Sequence, residues 1–359
     1  MQNRRKRLRH RIAKYNSKRC CHYKILVITS FYISVERIDV LKIVVLESLS
    51  LGKDVDISIW GDFGEITYYE NTAPEQIPER IHDADIVIIN KSPLNETTLA
   101  EAKNVKLICE AATGYNNVDI EYCKKRGICV TNVKGYSTPI VAQHTFAMAL
   151  YILEKLPVYD EYVKSGEYCN APIFTCFSPF FTELEGKTWG IVGLGNIGKR
   201  VADIAKAFGC KVIYYSASGN NNSTEYERVD FDTLLVQSDI LSLHCPLTDR
   251  TLNLIDDKAL DKMKKTAILI NVARGPVVNE QALYDALVNE KIAAAGLDVL
   301  VNEPMSKDNP LGKIKDSTKL FITPHMGWGS YEARVRCSKE VYRNIEAFLA
   351  GEQRNVVTI

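Results

Sequence analysis

The segment Gly193-Leu-Gly195-Asn196-Ile197-Gly198 directly follows the apolar run Thr188–Val192. It leads straight into a helical pattern of Ile197, Val201, Ile204, Ala205 and Phe208. A G-x-G-x-x-G loop between a strand and a helix is suited to hold a pyrophosphate. The first glycine permits the tight turn, the second lets backbone approach the phosphates, and the third packs helix on strand. Free N–H groups and the dipole at the helix start attract the anion. The next strand, Lys211–Tyr215, ends at Ser216, where NAD-specific folds carry Asp or Glu for the ribose 2′-OH. No acid appears before Glu225, and no Arg or Lys follows to hold a 2′-phosphate. A hydroxyl bonds a ribose without repelling NADP, so NAD is favoured as cofactor and NADP is left open. Three further segments end predicted strands, where ligands bind in such sheets. They are Ile270–Glu280 with Arg274, Ala295–Pro304 with Asp298 and Glu303, and Thr323–Trp328 with His325. A loop histidine titrates near working pH and suits proton transfer. An arginine fork suits a carboxylate.

Two alternating strand–helix series must position these residues. The first has strand-like runs at Lys24–Ser30, Val55–Trp60, Asp85–Asn90, Lys106–Glu110 and Ile128–Thr131, with helical spacing through Ile38, Leu41, Val44, Val45 and Leu49. The second has six strands, at Thr188–Gly193, Lys211–Tyr215, Ile240–His244, Ala267–Asn271, Ala294–Asp298 and Leu320–Thr323. Such alternation predicts an α/β fold with parallel sheets and crossover helices. Pro139–Leu156 is predicted as an apolar helix, Tyr168–Glu185 as irregular, and Ser330–Leu349 as an amphipathic helix.

Composition narrows the function classes. The chain has 359 residues, 46% apolar and 25% charged, ordinary for a globular protein of two domains. No run approaches the ~20 apolar residues of a membrane span. The net charge of +1 conceals a basic leader: residues 1–22 hold nine Lys/Arg and no acid. The remainder has 36 basic and 44 acidic residues, a net of −8, which argues against nucleic-acid binding. The leader reads as a disordered segment, with an anionic-surface tail or a mitochondrial-type presequence as alternatives. Ten scattered cysteines with no C-x-x-C pair and no secretory signal read as reduced cytoplasmic thiols. No Cys/His cluster has zinc-ligand spacing, so no metal is expected.

Taken together and in order, these segments resemble the D-isomer-specific 2-hydroxyacid dehydrogenases, from about Lys24 to Val357. The resemblance implies two doubly wound parallel-sheet domains with an interdomain cleft. These are a flavodoxin-like substrate domain at 24–134 and 325–359, after a leader at 1–23, and a Rossmann NAD-binding domain at 135–324. It implies hydride transfer between a nicotinamide cofactor and a small 2-keto or 2-hydroxy acid. His325 matches the proton donor, Glu303 the carboxylate that holds it, and Arg274 the fork that binds the substrate carboxylate. Cys245, Pro246, Val272, Ala273, Arg274, Asp298 and His325 join the glycine loop and Ser216 as cofactor contacts, with Asp298 orienting the nicotinamide side. Ala111-Ala-Thr113-Gly114-Tyr-Asn-Asn-Val-Asp119 resembles the loop whose backbone N–H groups bind the substrate carboxylate. Lys91, after the strand at Asp85–Asn90, is a candidate cation for the same task.

Within the family the wording is similar to glycerate dehydrogenases and hydroxypyruvate reductases. The segments that carry this are Ala112–Asp119, Val141-Ala-Gln143-His-Thr145 and Pro324-His-Met-Gly-Trp328, though Met326-Gly327 and Gly329 depart from the usual small apolar residues. Glu303 stands where the related formate dehydrogenases carry Gln. Hydroxypyruvate or glyoxylate is the expected substrate; another keto acid is an alternative. A dinucleotide-sensing corepressor is a rival from another class, since such proteins resemble this family and retain the trio. Relatives are commonly homodimers, and Pro139–Leu156, apolar on more than one face, suits a dimer interface.

Overall fold

The computed structural model describes residues 40–358. The basic leader and the strand expected at Lys24–Ser30 lie outside the described residues. The chain divides into two compact units, residues 40–136 with 331–358, and Ser137–Ser330.

The first unit is built on a five-stranded parallel sheet ordered β2-β1-β3-β4-β5. Its strands are β1 (Lys42–Val45), β2 (Glu65–Tyr68), β3 (Ile86–Ile89), β4 (Leu107–Glu110) and β5 (Cys129–Thr131). Every residue of β3 and β4 is buried, as expected when crossover helices cover both faces of a parallel sheet. The C-terminal helix Tyr331–Ala350 belongs to this unit. It buries Cys337, Val341 and Ile345, and the Ser338 carbonyl accepts from the Trp60 indole at 3.0 Å.

Two expectations fail here. The helical spacing expected from Ile38 to Leu49 meets, within the described residues, strand β1 followed by a 3-10 turn at Ser48–Leu51. The run Leu41–Leu46 is continuously apolar apart from Lys42, and an unbroken run mimics helical spacing while its β-branched residues favour a strand. The strand expected at Val55–Trp60 is replaced by a 3-10 helix at Ser58–Phe63, with β2 following. The Asp56 carboxylate accepts from the Ser58 N–H at 2.9 Å and its hydroxyl at 2.6 Å, so the side chain turns the backbone that alternation would extend.

The second unit holds a seven-stranded parallel sheet ordered β12-β11-β10-β9-β6-β7-β8. Its strands are β6 (Thr188–Val192), β7 (Lys211–Tyr215), β8 (Glu227–Arg228), β9 (Ile240–Leu243), β10 (Ile268–Asn271), β11 (Ala294–Leu297) and β12 (Leu320–Ile322). All six expected strands are present; the two-residue β8 is additional. The order reverses between β6 and β9, the switch point where doubly wound sheets bind ligands at their carboxyl ends.

The helix Thr138–Leu153 packs within this unit. Ala142, Phe146, Ala149 and Ile152 are buried, and Phe146 stacks on Trp189 with ring centroids 4.5 Å apart. One apolar face thus fills its own core, while Ala147 on the helix stays exposed and Ile140 half-buried. Residues 325–330 also belong to this unit. Among the described residues, no helix is long and apolar enough to cross a membrane, and no group of His, Cys, Asp and Glu could hold a metal ion.

Candidate active site

Strand β6 delivers the glycine loop. Gly193 has φ +91°, and an added Cβ would lie 2.9 Å from the Cys245 backbone; at Gly198 it would lie 2.3 Å from the Gly193 carbonyl oxygen. These two positions are glycine because the fold closes around them. Gly195 differs: a Cβ there would meet nothing within 4 Å. It caps the helix Asn196–Ala207 without any side-chain hydrogen bond. Open space above an uncapped helix start is what a pyrophosphate requires, so the residues present fit a dinucleotide.

The other expected cofactor residues lie on the same sheet edge. Cys245 and Pro246 follow β9, with Cys245 buried beneath Gly193; Val272 and Ala273 follow β10. Ser216 ends β7 and is buried, and its hydroxyl accepts from the Asn221 N–H at 3.4 Å. Asn221 in turn donates its side-chain amide to the Leu194 carbonyl. His244, at the end of β9, was missed by sequence reasoning. Burial pushes its imidazole down to about 3, so it is neutral at working pH. Its Nε2 lies 3.0 Å from the Ser242 hydroxyl, which also accepts from the Trp189 indole at 2.8 Å. Its Nδ1 is buried without a hydrogen-bond partner among the described residues.

The catalytic candidates sit on the loops after β10, β11 and β12, three adjacent parallel strands. His325 and Glu303 are brought together: Nδ1 is 2.6 Å from the carboxylate Oε2. The other oxygen, Oε1, accepts from the Leu300 N–H at 2.9 Å, which fixes the carboxylate's orientation. The imidazole is 21% exposed. Its Nε2 has no hydrogen-bond partner among the described residues. His325 has φ +54°, a conformation non-glycine residues rarely adopt and one often found at functional positions.

Asp298 supports that backbone. Its carbonyl accepts from the His325 N–H at 2.8 Å. Its carboxylate accepts from the Met326 and Gly327 N–H groups, both at 2.7 Å, and from the Thr323 hydroxyl at 2.6 Å. Burial raises the Asp298 carboxyl, but hydrogen bonds from His144, Thr323, Gly327 and Met326 outweigh it and hold the group below its ordinary value. His144 and Thr323 are further residues missed from the sequence; the His144 Nε2 lies 3.0 Å from the Thr323 hydroxyl. Asp298 thus anchors the histidine loop, a task its position at a strand end did not reveal.

Arg274 caps a short 3-10 turn, Gly275–Val277. Among the described residues its guanidinium reaches the neighbouring Ala273 carbonyl, at 2.7 Å. Among the described residues no carboxylate pairs with it. Asn271, fully buried, holds the loop by donating to the Arg274 carbonyl and accepting from the Ala273 N–H, both at 3.0 Å. A Cβ at Gly275 would lie 1.9 Å from the Leu300 carbonyl carbon. Glycine there lets the arginine loop lie against the segment that carries Glu303.

The remaining candidates belong to the first unit. Lys91 follows β3, exposed, and its backbone N–H donates to Glu47 at 3.0 Å. Thr113 and Gly114 follow β4; the Thr113 hydroxyl donates to the Val133 carbonyl at 2.8 Å. A nucleophilic role is disfavoured for four buried cysteines: burial pushes Cys109 up to about 12, and Cys123, Cys210 and Cys245 to about 11.

Residues 146–327 match the NAD binding domain of the D-isomer specific 2-hydroxyacid dehydrogenases. A hydroxypyruvate reductase of Blautia hydrogenotrophica is 38% identical over 325 residues, covering 88% of this chain and 99% of that protein. A glycerate dehydrogenase of Methylorubrum extorquens is 38% identical over 317 residues, covering 88% and 98%. Among solved structures, an acyclic imino acid reductase in complex with NADPH and D-Arg superposes with a TM-score of 0.79 at 31% identity, covering 88% of this chain and all of that one. A dinucleotide cradle at the switch point, a histidine–carboxylate pair on the same sheet edge and relatives matched along nearly their whole length agree: the chain belongs to the D-isomer specific 2-hydroxyacid dehydrogenase family.

Proposed function

We propose that this protein reduces a small 2-keto acid, hydroxypyruvate or glyoxylate, to the D-2-hydroxy acid, with His325 as proton donor. The observation that carries the reading is the 2.6 Å contact between His325 Nδ1 and Glu303, which leaves Nε2 without a partner among the described residues. The relatives named hydroxypyruvate reductase and glycerate dehydrogenase support the choice of substrate.

The glycine loop, Ser216 and the residues after β9 and β10 hold the dinucleotide. When bound, NADH or NADPH supplies the hydride. The Arg274 fork holds the substrate carboxylate and polarises the ketone. As negative charge develops on the ketone oxygen, His325 Nε2–H donates its proton there. Glu303 keeps the other ring nitrogen protonated and stabilises the imidazolium. In the oxidative direction, neutral His325 takes the hydroxyl proton.

The test follows the loss of reduced-nicotinamide absorbance with hydroxypyruvate, glyoxylate, pyruvate and a branched 2-keto acid. Saturable turnover is expected, fastest with hydroxypyruvate or glyoxylate. Tight dinucleotide binding with no turnover of any of them would overturn this reading in favour of a sensing protein.

We assign the homodimer contact to the helix Leu156–Lys164 and the segment after it. Phe174, Phe177 and Phe180 are 88%, 77% and 79% exposed, and Val163 and Phe181 lie open beside them in sequence. So much exposed aromatic surface marks an interaction site. Replacing Phe174, Phe177 and Phe180 by Ser is expected to give monomers in sedimentation equilibrium; an unchanged dimer would rule the segment out. We place the protein in the cytoplasm, since all eight described cysteines are free; cell fractionation checks this.

A further inference from the structure

The loop after β7 carries a cation that its sequence spacing conceals. Ser216-Ala-Ser-Gly-Asn-Asn-Asn222 contains no acid. It folds into a turn in which the Gly219 N–H donates to the Ser216 carbonyl at 3.0 Å. Strand β8 then pairs with β7 so that Arg228 lies opposite Tyr214, next to the end of the strand where an adenosine ribose binds. From there the Arg228 guanidinium reaches back over the loop. Its Nη1 donates to the Gly219 carbonyl at 3.1 Å and to the Asn222 side-chain oxygen at 2.6 Å.

Both acceptors are neutral. The adjacent acid, Glu227, is paired with Lys211 at 3.2 Å, and among the described residues no carboxylate pairs with Arg228. A guanidinium has five N–H donors, and these two contacts use one nitrogen. The fork is exposed, and the loop carries the Ser216 and Ser218 hydroxyls, which accept from the Asn221 and Asn220 N–H groups and keep their own hydrogens to donate, together with the Asn220 side chain. This combination suits a phosphate monoester: a planar cation for two of its oxygens, hydroxyls for the rest, and no carboxylate to repel it. The sequence reading found no such cation, because Arg228 is twelve residues beyond Ser216 and returns only through the two-residue strand β8.

We infer that Arg228 and the Ser216–Asn222 loop form a subsite for the 2′-phosphate of the adenosine ribose, so that the protein takes NADPH in preference to NADH. The inference rests on the dinucleotide reading of the glycine loop. Its test is nucleotide binding, measured without substrate. Calorimetric titration with adenosine 2′,5′-bisphosphate and with 5′-AMP compares the ligand with and without the 2′-phosphate; nicotinamide fluorescence compares NADPH with NADH.

The bisphosphate and NADPH are expected to bind more tightly than their partners, and increasingly so at low salt. Arg228→Met is expected to weaken both by roughly 10- to 100-fold, the loss of a charged hydrogen-bonding partner, and to leave 5′-AMP and NADH unchanged. Ser216→Asp, which adds the missing carboxylate, is expected to exclude the 2′-phosphate while NADH still binds. Equal binding with and without the 2′-phosphate would overturn the inference and leave the dinucleotide reading standing. The same holds for an Arg228→Met variant that weakens all four ligands alike. Failure of every nucleotide to bind would overturn both.

Discussion

Replacing His325 by Asn is expected to lower keto-acid reduction by at least ~100-fold, with reduced dinucleotide bound as tightly as before. Asn is the appropriate replacement because the position has φ +54°, and Asn tolerates the left-handed conformation as well as His does. The loop backbone stays anchored, since its N–H groups bond to Asp298 rather than to the imidazole. What is lost is the group that carries the proton. Glu303→Gln is a milder version of the same test. It keeps a hydrogen-bonding oxygen near Nδ1 but removes the charge that stabilises the imidazolium. Its turnover is expected to fall between wild type and His325→Asn. Turnover of His325→Asn equal to wild type would sink the assignment; equal loss of dinucleotide binding would show that the histidine shapes the cofactor site instead.

Much of the second unit could be read in the sequence because its signals are local. The glycine loop sits between its strand and its helix in one short segment, and the segments carrying Arg274, Glu303 and His325 each follow an apolar run. What remained hidden depends on contacts between distant residues. Strand β1 is buried on both faces, so its sequence lacks the alternation that marks a half-buried strand. Strand β8 is two residues long and has no periodicity to detect, yet it brings Arg228 back to the Gly219 and Asn222 end of the loop after β7. The family resemblance suggests a place for Asp298 on the nicotinamide side. Its role as an anchor depends on Thr323, Met326 and Gly327, which meet it only because β11 and β12 are neighbours. Likewise Gly275 reads as part of an Arg-Gly turn, and only the approach of Leu300 shows why no side chain fits there.

That approach bears on Arg274, whose replacement by Leu is expected to lower kcat/KM for the keto acid by roughly 100-fold or more. Removing one partner of a desolvated charge pair costs ~3 kcal/mol, which is a factor of that size. The surroundings of the guanidinium give it little part in stability. Among the described residues its side chain bonds to the carbonyl of the preceding residue, whereas the loop itself is held by the Asn271 side chain. The Leu variant should therefore fold and bind dinucleotide normally. Arg274→Lys retains the charge but not the planar fork, and should recover only part of the loss. A substrate analogue separates anion binding from a general disturbance of the site. The wild-type protein should prefer a 2-keto acid to its neutral amide, and Arg274→Leu should erase most of that preference by losing rate with the acid far more than with the amide. Equal losses with acid and amide would mean that Arg274 supports the shape of the site without holding the carboxylate.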